Sequence, residues 1–183
     1  MRYTVQHIAT IVSGSLKGQT SGFIEHLLLD SRQVIFPQTA LFFALVGKRH
    51  DGHHYIGQLY AEGLRHFVVS KPLPWSDYPE ASFIQVEDTL KGLQQLAYYH
   101  RHQFPLKTIG ITGSNGKTIV KEWLFDLLHL DFRIVRSPKS YNSQIGVPLS
   151  VWQIRPEHNL GIFEAGISEM GEMERISPII DCQ

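Results

Sequence analysis

Between Gly110 and Thr118 the chain reads GITGSNGKT, a run whose residue types suit phosphate binding. The short β-branched segment TIGIT ends in it and TIVKEWLFDLLHL leaves it, which predicts strand, glycine loop and helix in that order. Glycines let the main chain approach an anion without interference from a Cβ. The N–H groups that open a helix, at the positive end of its dipole, can then receive that anion. In this reading Gly113, Ser114, Asn115 and Gly116 cradle the phosphates, Lys117 reaches the β- and γ-phosphates of ATP, and the Thr118 hydroxyl takes Mg2+. The common form of the motif has a glycine five residues before Gly116, where this chain has Ile111. The shorter Gly-x-x-Gly-Lys-Thr spacing argues against ordinary GTPases and AAA-type ATPases. The bland alternative is a tight strand-to-helix turn with Lys117 merely solvated.

A hard cation that bridges phosphates prefers charged oxygen ligands. In LGIFEAG, Glu164 closes an apolar strand candidate. If that strand runs parallel to TIGIT, its carboxyl end lies on the ligand-binding edge of the sheet. Lys117 and Glu164 are therefore the candidate catalytic residues, with Thr118 and Glu164 as metal ligands. A solvated carboxylate at a strand end is the competing reading.

These residues need a frame. Apolar spacing from Val5 to Val12 predicts an opening helix. ALFFALVG, HYIGQLYAEG, HFVVS, SFIQV and DTLKGLQQLAYYHRH then read as strand, helix, strand, strand and helix, with Asp88 as N-cap. QFPLK marks a break, so residues 1–103 and 104–183 are expected to be separate domains. In the second, Val120, Trp123, Leu124, Leu127 and Leu128 share one helical face, with Lys121, Glu122 and Asp126 off it. FRIV and LGIFEAG add strands, and the expected class is α/β: a small N-terminal unit followed by a parallel sheet wound by helices.

Composition excludes several functions. Lys+Arg and Asp+Glu both number 17 in 183 residues, so no broad basic field exists to hold nucleic acid or an anionic membrane. One cysteine, Cys182, allows no internal disulfide, and none of the ten histidines has zinc-like spacing. The start lacks a signal-peptide pattern, no apolar run approaches the ~20 residues of a membrane span, and a cytoplasmic address is expected.

GITGSNGKT with VKEW, then YNSQIGVPLS and FEAGISEMGEM, resembles the central domain of the Mur ligases, ATP-dependent amide ligases of peptidoglycan precursor synthesis. LDSRQVIFPQTALFFALVGKRHDGHHYIGQLYAEGLRHFVV is similar to the N-terminal domain with which members of that family hold a UDP-sugar. The resemblance implies a UDP-muramoyl-peptide site at Ser31 and Arg32, with Gly47, Asp51, Gly52 and His53 on a neighbouring loop. It also implies Asn142 as a nucleotide or metal contact, against a turn-forming role. Ser140 and Ser143 stand where the family often has asparagine, and EAGIS replaces its more usual ELGAN.

The resemblance further implies UDP-N-acetylmuramoyl-tripeptide and D-alanyl-D-alanine as substrates, ATP and Mg2+ as cofactors, and a fused alanine racemase domain in the parent protein. The tripeptide synthetase of the same family is the runner-up. Other function classes are a phosphotransferase using the same loop and a non-catalytic UDP-sugar-binding module. The family's central domain runs on past Gln183, so the chain is expected to be a piece of the ligase, inactive alone.

Overall fold

The computed structural model describes every residue except Gln33, Arg49, Ser168 and Gln183. Its contacts divide it into two compact units, Met1–Leu93 and Gln94–Gln183. That division falls within a helix, ahead of the proline-containing break at residues 103–107.

The first unit opens with β1 (Tyr3–Thr4), α1 (Val5–Ile11), β2 (Ser15–Gly18) and β3 (Phe23–Ile24). Thr4 caps α1 by accepting the His7 N–H at 3.1 Å, and Val5, Ile8 and Ala9 bury the face that their spacing predicts. Next come β4 (His26–Leu28), β5 (Ala40–Phe43), α2 (Ile56–Ala61), β6 (His66–Val69) and β7 (Ser82–Gln85). The sheet order is β2-β7-β6-β5-β4, parallel from β4 to β7 and antiparallel at β2. Parallel strands covered on both faces should be apolar at successive positions, and all four residues of ALFF and of HFVV are buried. Phe67 stacks on Phe83 at 5.2 Å and meets Phe42 edge-on at 6.4 Å, which anchors three neighbouring strands. Because β4, β5 and β6 run parallel, the segments that follow them emerge along one edge.

The helix α3 (Thr89–Arg101) crosses the division, and Asp88 accepts the N–H groups of Leu90 and Lys91 as expected of its cap. The second unit continues with β8 (Lys107–Ile111), α4 (Lys117–Leu128), β9 (Ile134–Arg136), α5 (Gly146–Val151), β10 (Leu160–Glu164) and α6 (Glu172–Ile180). Its sheet is wholly parallel in the order β8-β10-β9, so the last strand lies between the other two. The register pairs Glu164 with Ile111, the residue that leads into the glycine loop. Arg101, buried, donates to the carbonyls of Ile180, Phe104 and Leu106 and ties the end of α6 to the approach of β8.

Helix α4 departs from its sequence reading. Trp123 and Leu127, central to the expected buried face, are 65% and 74% exposed, whereas Lys121 is fully buried. A lysine can be buried when its ammonium finds carbonyl and carboxylate partners. Those partners come from distant segments that helical periodicity does not see.

His100 is buried against Trp152 and Phe104, and its Nε2–H donates to the Ile154 carbonyl at 3.2 Å. Burial pushes its pKa from the ordinary 6.5 down to about 4. The unfolded chain therefore takes up a proton near pH 6.5 that the folded one refuses until about pH 4. Stability from this group is complete above the unfolded value and falls on acidification, by about 3 kcal/mol in all. Urea unfolding of the chain and of His100→Gln at pH 7 and pH 4.5 should show a smaller acid loss in the variant.

Candidate functional site

At the carboxyl edge of the first sheet, Arg32 forms a bidentate pair with Asp30, Nε to Oδ1 at 2.9 Å and Nη2 to Oδ2 at 2.7 Å. Asp30 also accepts the Arg32 N–H at 3.0 Å. These bonds hold the Asp30 carboxyl at about 2, below the ordinary carboxylate range. The guanidinium is 85% exposed, so its outer N–H groups stay available to an anion. Ser31, between them, is half-buried.

After β5 the chain makes a narrow loop in which Val46 bridges Asp51, the Gly47 N–H donates to the His50 carbonyl, and the Gly52 N–H donates to Leu45. Asp51 accepts from the His53 ring at 2.6 Å and from Lys71 at 2.5 Å. Burial opposes its ionisation, but the bonds from Lys71 and His53 outweigh that and hold its pKa well below the carboxylate range. His53 Nε2 accepts the backbone N–H groups of Ser70 and Lys71 at 3.0 and 3.3 Å. Nδ1 must therefore carry the ring proton, donated to Asp51. Both ring nitrogens are engaged inside the protein, so His53 clamps this loop to the end of β6. Sequence reasoning found the loop but not Lys71, which closes the clamp from the segment that follows β6.

In the second unit the loop joins β8 to α4 as expected. Gly113 and Gly116 have φ of 137° and 80°, conformations that L side chains rarely adopt. With its two glycines so turned, the loop delivers the chain to the start of α4, whose first N–H groups lack intrahelical partners. Lys117 Nζ donates back to the Gly113 carbonyl at 2.5 Å. A cavity of about 280 Å³ opens here, lined by Ser114, Asn115, Gly116, Lys117, Thr118, Ile119, Ser140 and Asn142. Asn142 thus reaches the loop from the segment after β9. A Cβ on Gly166 would come within 3.1 Å of the Asn142 side-chain amide, so the Ala-Gly step beyond β10 leaves room for it.

Behind this cavity, the Thr118 hydroxyl donates to Glu164 Oε2 at 3.1 Å. Glu164 is completely buried and Ser137 Oγ accepts its N–H. Glu164 does not line the cavity; Thr118 stands between. Its other oxygen, Oε1, has no aligned hydrogen bond among the described residues. A hydroxyl beside a carboxylate with spare acceptor capacity is an oxygen donor set that fits a hard divalent cation. Among the described residues no group of three or more His, Cys, Asp or Glu could hold a metal by itself. Remaining ligands would come from phosphate oxygens and water, as is usual for magnesium.

The parallel sheet, the glycine loop feeding a helix and the Lys-Thr pair beside a buried strand-end carboxylate define a phosphate-loop α/β protein. The family model for the Mur ligase family, catalytic domain, matches residues 23–101, and that for the Mur ligase middle domain matches residues 111–183. The chain belongs to the Mur ligase family. It is 38% identical over 159 residues to the UDP-N-acetylmuramoyl-tripeptide--D-alanyl-D-alanine ligase of Treponema pallidum, covering 82% of this chain and 34% of that protein. The ligase of the same name from Bacillus subtilis is 32% identical over 180 residues, 97% of this chain and 38% of that one.

A MurF structure from Acinetobacter baumannii superposes with a TM-score of 0.91 at 31% identity, covering 100% of this chain and 40% of that chain. MurF ligase from Thermotoga maritima in complex with ADP gives 0.73 at 28% identity, covering 85% and 35%. The chain thus spans between a third and two fifths of the length of these relatives. Among the described residues no helix is long and apolar enough to cross a membrane.

Proposed function

We propose that this chain is the UDP-sugar-binding and phosphate-loop portion of an ATP-dependent ligase that joins D-alanyl-D-alanine to UDP-N-acetylmuramoyl-tripeptide, acting in the cytoplasm where ATP is supplied. The observation that carries this reading is the Thr118–Glu164 contact of 3.1 Å, which joins the first turn of α4 to the end of β10 beside the glycine loop. The names and coverage of the relatives in both units support the substrates.

In this reading Arg32, with Ser31, receives the diphosphate of the UDP-sugar, and Asp51 and His53 hold the loop of Gly47 and Gly52 beside it. The loop amides from Gly113 to Gly116 and Asn142 hold the ATP phosphates, and Lys117 turns from the Gly113 carbonyl to the β- and γ-oxygens. Thr118 and Glu164 would hold Mg2+, which when bound neutralises phosphate charge and draws the phosphates into line. The substrate's terminal carboxylate oxygen attacks the γ-phosphorus and ADP leaves. The amine then attacks the acyl carbon, an amide forms, and phosphate departs with the former carboxylate oxygen. None of these steps needs a protein nucleophile, consistent with a site made of amides, an ammonium and carboxylate oxygen.

The test uses a ligase containing this chain, UDP-N-acetylmuramoyl-tripeptide labelled with 18O in its terminal carboxylate, ATP and D-alanyl-D-alanine. One labelled oxygen should appear in each phosphate released, together with the amide. A stable phosphorylated acceptor would indicate a phosphotransferase instead, and binding of the UDP-sugar without phosphate release a non-catalytic module.

A further inference from the structure

Lys121 is a fully buried cation one helical turn beyond the phosphate loop. Its ammonium donates to the carbonyls of Ser137 at 2.8 Å and Lys139 at 2.6 Å. It also lies 3.0 Å from Glu164 Oε1 and 3.1 Å from Glu122 Oε1, and Glu122 is held from its other side by Arg136 at 3.0 Å. An ammonium has three protons, so two go to the backbone carbonyls and the remaining charge faces carboxylates. Glu164 Oε1 gains charge balance from Lys121 without an aligned hydrogen bond, while Oε2 meets Thr118.

The two carbonyl bonds matter as much as the ion pair. Lys139 has φ 50°, a left-handed turn in a non-glycine residue, which needs support from its surroundings. The carbonyl it presents is the one that Lys121 takes. Ser140 and Asn142, both lining the phosphate cavity, follow that turn. Ser137 closes the circuit, since its hydroxyl accepts the Glu164 N–H at 3.0 Å.

We propose that Lys121 is a positioning residue for the magnesium–nucleotide site: one buried ammonium fixes both the Glu164 carboxylate beside Thr118 and the segment that carries Ser140 and Asn142 to the phosphates. The inference rests on the reading of that site given above. It assigns Lys121 no contact with nucleotide or metal.

The experiment measures ADP affinity of the chain by calorimetry with and without Mg2+, for the unaltered protein and Lys121→Met. The unaltered chain should bind ADP more tightly with Mg2+. Lys121→Met should weaken metal-free ADP binding, because the segment carrying Ser140 and Asn142 loosens, and should in addition lose about tenfold or more of the magnesium enhancement, the scale on which supporting partners of a ligand act. A folded variant that retains the enhancement, or that loses affinity equally with and without metal, overturns the proposal. If Lys121→Met alone does not fold, Lys121→Met with Glu164→Gln removes both buried charges. Recovery of the fold in the double variant supports the coupling, and failure to recover overturns it. If the unaltered chain shows no magnesium enhancement, the reading of the site fails first and this inference with it.

Discussion

Lys117→Ala is expected to weaken ATP binding to this chain by roughly 10- to 150-fold, the equivalent of losing a charged hydrogen bond worth about 1.5–3 kcal/mol. The side chain is half-buried at the mouth of the cavity and its ammonium bonds only the Gly113 carbonyl among the described residues. Removing it therefore leaves no buried group without a partner, and unfolding stability should change by no more than ~0.5 kcal/mol. That combination, large in binding and silent in stability, separates a phosphate ligand from a residue that merely closes the turn. Equilibrium titration and urea unfolding of the same variant measure both. Unchanged ATP affinity would show that Lys117 meets no phosphate.

Glu164→Gln should have two effects at once. A strand-end carboxylate in water would be silent to folding, but Glu164 is completely buried and stands 3.0 Å from the Lys121 ammonium. Neutralising one member of such a pair leaves the other charge poorly compensated. Since the amide oxygen can still face Lys121, and that lysine keeps its two carbonyls, the cost should be about 2–3 kcal/mol rather than complete loss of the fold. The second effect is on magnesium: the carboxylate beside Thr118 is the charged oxygen in the donor set, and its loss should reduce the metal enhancement of nucleotide binding about tenfold or more. Coincident magnesium dependences for a folded variant and the unaltered chain would remove Glu164 from the metal's surroundings.

Local chemistry made half of this arrangement readable in advance. The glycine loop, its flanking strand and helix, and the Asp88 cap are set by residues within a few positions of one another, and the structure has them where the sequence implies. Glu164 was legible as the end of an apolar strand, and the parallel register with β8 brings it to the loop. Lys121 was not legible. On a helical wheel it falls away from the apolar residues, and its four partners lie on its own helix and on two distant segments. His53 likewise reads as an available imidazole until Ser70 and Lys71 are seen to occupy its Nε2. The edge strand β2 escaped for a different reason: Ser15, Lys17 and Gly18 are exposed and only Leu16 is partly covered. Such a strand carries little of the alternating pattern by which strands are recognised. Its pairing with β7 is a consequence of the completed sheet.

The most direct test of the central claim, that residues 113–118 with Glu164 form a magnesium–nucleotide site, is an NMR titration of the 15N-labelled chain with ATP and Mg2+. Glycine amides resonate in a sparse spectral region, so Gly113 and Gly116 can be followed beside Gly47 and Gly52 of the other unit. Saturable shifts are expected at Gly113, Gly116, Lys117 and Thr118, tighter with Mg2+ than without it, with no saturable shift at Gly47 or Gly52. Shifts absent from the loop at saturating ATP, or indifferent there to Mg2+, would contradict that claim.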